Sequence, residues 1–262
     1  MDAHQGNGHG HGQSQWAPDL PLKSKEAFKV LPKASAHLPR AFYPGGDRSL
    51  SGVALRAFCL GAAAIFGFMT TFFLASSGSR MWRPFFFLGT LGVFHFLEFW
   101  TTAEYNTSGA YISSFLLTNG SRYRQAHTFA FVEAVVTTYF FPQWQARFSQ
   151  PQTIALGILM IVVGQVVRSL AMAQAGTNFN HQVQSQKNEG HELVSSGIYA
   201  WFRHPSYFGF FWWALGTQLS LGNAVSFTAY AFILWYFFKT RINRMSISLP
   251  IIVGRGLTIS CR

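Results

Sequence analysis

Residues 190–218 read GHELVSSGIYAWFRHPSYFGFFWWALGTQ. The first half is polar and titratable, with His191, Glu192, Tyr199, Arg203 and His204; the second half is an aromatic, apolar run. Pro205 stands at the junction. Its fixed φ suits the first position of a helix, and the amides of that first turn lack partners inside the helix. Such a helix start carries partial positive charge and can hold a carboxylate. Ionisable side chains at the mouth of a membrane-buried helix are costly to keep and mark a functional site by default. Tyr, Trp and His also favour headgroup depth, so a plain interfacial anchor remains the competing reading of these residues alone.

Working outward, the whole chain has the composition of a membrane protein. It is 49% apolar and 11% charged, with 28 Phe and 8 Trp, where a soluble domain carries about 25% charged residues. A spanning helix needs about 20 largely apolar residues. Runs at 53–75, 84–100, 127–141 (short unless it starts near Tyr123), 152–173, 206–221 and 224–238 meet or approach that length. The expected fold is therefore all-α and polytopic, with about six transmembrane helices. Gly222 and Asn223 part the last two runs with turn chemistry, which predicts a tight helical hairpin whose members are marginal in length.

The flanks differ in material. Residues 1–50 read as a disordered basic tail: Gly, His and Gln as far as Gln15, then Lys23, Lys25, Lys29, Lys33, Arg40 and Arg48 among prolines. His4, His9 and His11 read as a solvated tract rather than a metal site. The first apolar run begins too late and is too long for a signal peptide. The net charge of +11 is spread between apolar runs and not gathered on one face, which favours topology and anionic headgroups and speaks against nucleic acid. Placing the N-terminus and the loop before His204 in the cytosol leaves only Arg80, Arg83 and Arg147 on the far side. Cys59 and Cys261 form neither a disulfide framework nor a metal spacing, and Cys261 lacks the three following residues of a prenylation box.

Within the spans the ionisable residues are His95, Glu98, Glu133 and Arg168. His95 and Glu98 are three apart and share a helix face, either lining a substrate cavity or bonding another helix. Glu133 and Arg168 are expected to pair across adjacent spans, or Arg168 to snorkel.

Several segments together resemble the isoprenylcysteine carboxyl methyltransferase family, enzymes of the endoplasmic reticulum that methyl-esterify prenylated C-terminal cysteines. They are residues 176–184 (GTNFNHQVQ), 191–207 (HELVSSGIYAWFRHPSY), 209–218 (GFFWWALGTQ) and 237–241 (FFKTR). Upstream, residues 95–99 (HFLEF), 114–117 (SFLL), Tyr123 and Ala126-His127 also match. The resemblance implies that Gln184, His191, Glu192, Leu193, Val194, Tyr199, His204, Pro205, Ser206 and Tyr207 hold S-adenosylmethionine. It implies that Arg241 grips the substrate carboxylate and serves catalysis, with no metal. The implied partners are proteins ending in a farnesylated or geranylgeranylated cysteine, reached through the bilayer. Residues 51–175 then form the N-terminal transmembrane helices, and 176–244 the cofactor loop, the hairpin and the substrate arginine.

The reaction so implied suits a dry site. An α-carboxyl group has a reference pKa of about 3.3–3.7, so the nucleophile is already ionised at neutral pH and needs no base. A sulfonium cation and a carboxylate become two neutral products, so a low-dielectric site favours the charge-destroying path.

One segment departs from the resemblance. After Arg244 the family continues with paired glutamates and a Tyr-rich tail, whereas residues 245–262 read MSISLPIIVGRGLTISCR. Met245 stands where a cofactor-site Glu is expected, and no Asp or Glu follows Glu192. A shifted frame, a mis-joined splice or a degenerated copy would produce this break. It leaves an inactive family member as one alternative, and an NADPH-dependent sterol reductase sharing the Arg-His-Pro-x-Tyr string as another.

Overall fold

The computed structural model describes residues 39–181 and 194–253, with side chains as far as Ile242. Seven α-helices make up these residues: α1 Leu50–Ser76, α2 Trp82–Tyr105, α3 Ser121–Phe140, α4 Pro142–Phe148, α5 Pro151–Ala175, α6 Pro205–Leu221 and α7 Ala224–Val253. The six long ones overlap the six apolar runs. α1, α2 and α5 are by themselves long and apolar enough to cross a membrane. Residues 1–38, 182–193 and 254–262, which carry His4, His9, His11, Gln184, His191, Glu192, Leu193 and Cys261, lie outside the described residues.

Local chemistry sets the helix starts. The Ser49 hydroxyl accepts from the Gly52 amide at 3.2 Å and opens α1. Prolines occupy the first turn of α4, α5 and α6, where a missing N–H costs nothing. Residues 39–49, read from sequence as part of the tail, pack on the loop after α2. The Ile112 amide donates to the Asp47 carbonyl at 2.7 Å, and the Arg48 guanidinium lies 4.2 Å from the Tyr111 ring centroid.

Helices in lipid gain little from hiding apolar surface and associate through close packing of small residues. The α5–α6 pair shows this along its length. A methyl group added to Gly164 would fall 2.5 Å from the Trp213 amide nitrogen, and one on Gly209 would fall 2.6 Å from that of Arg168. Gly216 meets the Gly157 carbonyl oxygen in the same way at 2.7 Å. The glycines recur every seven residues on each helix, so one seam runs the length of the contact. α1 is peripheral; it buries only Leu60 and Gly67 and leans on α2 through Gly67 and Gly92. Phe94 and Trp213, stacked at 4.1 Å, fill the centre between α2 and α6.

The α6–α7 hairpin forms as expected, with Gly222 left-handed at φ +70°. Its turn is buried inside the protein. The Gln145 side chain on α4, a short helix with no signal in the apolar pattern, donates to the Leu221 carbonyl at 3.1 Å and to Thr137 at 3.0 Å. Asn223 donates to the Ala130 carbonyl at 2.9 Å. Glu133 does not pair with Arg168. Its carboxylate accepts from the Val225 and Ser226 amides at 2.9 and 2.7 Å, where the positive end of α7 offers it unpaired donors. This polar knot supplies the hydrogen bonds that lipid cannot.

The seam predicts a sharp contrast between two substitutions. Gly164→Leu should lower stability by about 1–3 kcal/mol or more, the usual cost of overpacking. Gly61→Leu on α1, where an added methyl group meets nothing within 4 Å, should be nearly neutral. Thermal unfolding of the two variants in detergent micelles checks this, and equal midpoints would contradict the seam.

Candidate functional site

The site grows from the start of α6. His204 caps it, and its carbonyl accepts from the amides of Tyr207 and Phe208, both at 3.1 Å. Pro205 has no amide, so the anion-holding capacity expected of this helix start narrows to Ser206 N–H. Ser206 itself is buried and fixed by Arg168 on α5, whose Nη1 donates to the Ser206 hydroxyl at 2.6 Å and to its carbonyl at 3.2 Å. The same guanidinium grips Glu98 on α2 with two parallel bonds, Nε to Oε1 and Nη2 to Oε2, each 2.7 Å. Arg168 therefore neither snorkels nor meets Glu133. Its fork geometry satisfies a buried carboxylate and still spares one nitrogen for α6.

Beyond α5 the chain turns back over this pair. The Asn106 side chain donates to the Phe179 carbonyl at 3.0 Å. His181 then lies with Nε2 3.2 Å from the Thr102 hydroxyl and Nδ1 3.6 Å from Glu98 Oε2. Burial pushes His181 down to about 4, with Glu98 opposing the fall and Arg168 and Arg241 adding to it. The ring is thus neutral at pH 7. Its carbonyl accepts from Arg241 Nη2 at 2.6 Å. That contact joins the far end of α7 to the loop.

Arg241 comes alongside the α6 start. Its guanidinium carbon lies 5.7 Å from the Tyr207 ring and 5.6 Å from that of Phe237. Tyr207 stacks with His204, at 5.7 Å, and with Phe238, at 4.8 Å. Arg241 Nε is buried and has no hydrogen-bond partner in the described protein. A buried charged donor left unpaired is expensive, so this nitrogen suits an anionic ligand.

Of the residues expected at the site, Val194, Tyr199, His204, Pro205, Ser206, Tyr207 and Arg241 are described; Gln184 and residues 191–193 are not. Gly197, left-handed at φ +61°, opens the turn that brings Tyr199 back to α5. The Tyr199 hydroxyl donates to the Ala171 carbonyl at 3.0 Å, and burial raises its pKa. Burial, then neighbouring Arg203, lowers that of His204. His95 and Glu98 share a face as expected, and both bond other segments. His95 Nδ1–H donates to the Phe115 carbonyl at 2.7 Å, while Glu98 binds Arg168. Sequence reasoning singled out Glu98 and Arg168 separately and missed their pairing. It also missed His181 as a linking residue, although that residue sits inside the quoted stretch at 176–184.

Comparison with known proteins bears on this arrangement. The model of the isoprenylcysteine carboxyl methyltransferase (ICMT) family matches residues 156–250. The chain is 44% identical over 160 residues to the protein-S-isoprenylcysteine O-methyltransferase of Saccharomyces cerevisiae, covering 60% of this chain and 67% of that protein. It is 39% identical over 198 residues to the Homo sapiens enzyme of the same name, covering 75% and 67%. A solved structure of the eukaryotic intramembrane Ras methyltransferase ICMT superposes with a TM-score of 0.71 at 28% identity, covering 89% of this chain and 82% of that one.

The depressed His181 gives a pH dependence with a definite sign. Below the ordinary value of 6.5 an undocked loop binds a proton that the docked loop refuses until about pH 4. Docking is therefore at full strength above pH 6.5 and weakens as pH falls toward 4, since the open state holds more protons in that window. Protease sensitivity of the loop should rise across this range, and His181→Gln should flatten the rise. A profile unaffected by that substitution would assign the dependence elsewhere.

Proposed function

The chain belongs to the isoprenylcysteine carboxyl methyltransferase family, and on that footing we propose that it transfers a methyl group from S-adenosylmethionine to the C-terminal carboxylate of farnesylated or geranylgeranylated cysteine in proteins. It is a multi-pass intramembrane protein-S-isoprenylcysteine O-methyltransferase. The observation that carries the finer reading is the approach of Arg241, whose buried Nε has no partner among the described residues, to Tyr207 at the start of α6.

Bound S-adenosylmethionine supplies an electrophilic methyl carbon on a sulfonium. Gln184, His191–Val194, Tyr199 and His204–Tyr207 are the residues proposed to hold it; a sulfonium is a cation, and the stacked rings of His204, Tyr207 and Phe238 offer it aromatic faces. Arg241 orients the acceptor through its Nε. Held there, the donor would give its methyl carbon to a carboxylate oxygen and keep the C–S electron pair on sulfur, so the products would be a methyl ester and a neutral thioether. No proton moves, so no side chain serves as base. Alignment at about 3–3.5 Å and exclusion of water are the protein's contributions.

The active loop and the N-terminus are assigned to the cytosol, in the endoplasmic reticulum membrane. The excess of basic residues on that side supports this. So does the engagement of Asn106, whose sequon lies on the same side, in a buried contact with Phe179. Glycosylation of exposed Asn119 would reverse the orientation.

Arg241→Ala should raise KM for a farnesylated cysteine by about 10- to 100-fold, the loss of a charged hydrogen bond worth roughly 1.5–3 kcal/mol, and Arg241→Lys should recover part of it. A methylation assay on membranes reads both, and an unchanged KM in the alanine variant would remove Arg241 from the acceptor site. Met245→Glu, one turn beyond Arg241 in α7, should tighten binding of S-adenosylmethionine by about tenfold in the same preparations, because a carboxylate accepts hydrogen bonds and a thioether hardly does.

A further inference from the structure

The Glu98–Arg168 pair lies outside the residues assigned to donor or acceptor, yet it touches the supports of both. Three elements converge on it. Arg168 reaches from α5 to the Ser206 hydroxyl and carbonyl in the first turn of α6. Glu98 on α2 takes both remaining arms of that guanidinium, and its Oε2 also faces His181 Nδ1 at 3.6 Å. The carbonyl of His181 in turn holds Arg241. Glu98 is 1% exposed and Arg168 7%, so neither contact is diluted by solvent. The Phe179 and Phe210 rings, 5.8 and 5.7 Å from the Arg168 guanidinium, close the remaining sides.

Geometry makes the link directional. Arg168 holds the turn that carries His204–Tyr207. Glu98, through His181, bears on the arginine that meets the acceptor. One carboxylate thus stands at the branch point between the two reacting halves, doubly hydrogen-bonded on the donor arm and, on the acceptor arm, 3.6 Å from a neutral His181 ring that Thr102 of the same helix meets at 3.2 Å. A buried ion pair is weak evidence for stability, because well-packed apolar residues often serve as well. Retention of this one is explained by what it spaces.

We propose that Glu98 and Arg168 are positioning residues that set the distance between the methyl-donor cradle at the start of α6 and the acceptor-gripping Arg241. This rests on the functional reading above. The two arms lead to separable effects. Arg168→Lys keeps the charge but cannot grip Glu98 with a fork and reach Ser206 together, so the donor side should suffer alone. Glu98→Gln weakens both arms. Ser206→Ala removes only the hydroxyl that Arg168 holds and is small enough to leave the helix intact.

The test uses the purified full chain in detergent or nanodiscs, with labelled S-adenosylmethionine for donor Kd and a farnesylated cysteine for acceptor KM. Arg168→Lys and Ser206→Ala should raise donor Kd with acceptor KM within about twofold of the parent. Glu98→Gln should raise both constants and lower kcat, by about 10- to 100-fold in kcat/KM, the scale of a misplacement near 1 Å. Parental donor Kd in Ser206→Ala together with parental donor Kd or mere instability in Arg168→Lys would overturn the proposal. A loss of thermal stability in Glu98→Gln with both constants unchanged would overturn it as well, since that is the signature of a purely structural pair. A parent chain that binds no S-adenosylmethionine would instead overturn the functional reading, so the two failures are distinguishable.

Discussion

The close approach of α5 and α6 governs this protein. In lipid the two helices have no apolar surface to hide from water, so their association depends on how near their backbones can come. Gly157 and Gly164 on one side, Gly209 and Gly216 on the other, let amide nitrogens and carbonyls of the partner helix occupy space that a Cβ would fill. The end of the same seam nearest the site is where Gly209 meets the backbone of Arg168. Packing and chemistry are therefore continuous: the contact that joins the helices also delivers the Arg168 guanidinium to Ser206.

A second constraint follows from the lipid surroundings. Each polar group drawn into the helical core must be answered by another. At the hairpin turn the answer is Gln145, Asn223 and Glu133, which fasten α6 and α7 to α3 and α4. Near the site it is Glu98 with Arg168, then His181 with Thr102, then Arg241 with the His181 carbonyl. Arg241 Nε is one of several buried polar atoms left unanswered within the described protein, and it is the one that stands beside the start of α6. An acidic ligand is the natural complement of that donor, and the family to which the chain belongs acts on a carboxylate.

The division between polar and apolar helices has the same origin. α1, with mean hydropathy 2.0 over its best window, buries almost nothing and can stand in lipid alone. α3 and α6 are shorter or more polar and depend on their neighbours. At 17 residues and ~1.5 Å per residue, α6 is about 25 Å long, less than the ~30 Å hydrocarbon core. Enclosure of its turn by α4 lets so short a helix end inside the protein.

By itself the sequence determined the number and place of the long helices, because apolar length and turn residues such as Gly222-Asn223 and Pro205 are local properties. It also pointed to the stretch 191–207 and Arg241 as the proposed site, through residue types and their order. Tertiary structure alone decided who pairs with whom. Glu133 and Arg168 are opposite charges in successive long helices, and nothing local says that one caps α7 while the other grips Glu98 seventy residues away. The helix α4 escaped notice because seven residues with Gln145 at their centre carry no apolar period, and that glutamine matters only once the fold brings the buried Leu221 carbonyl within its reach. Pairing in a low-dielectric interior is a question of geometry across elements, and distance in space is what a one-dimensional pattern does not contain.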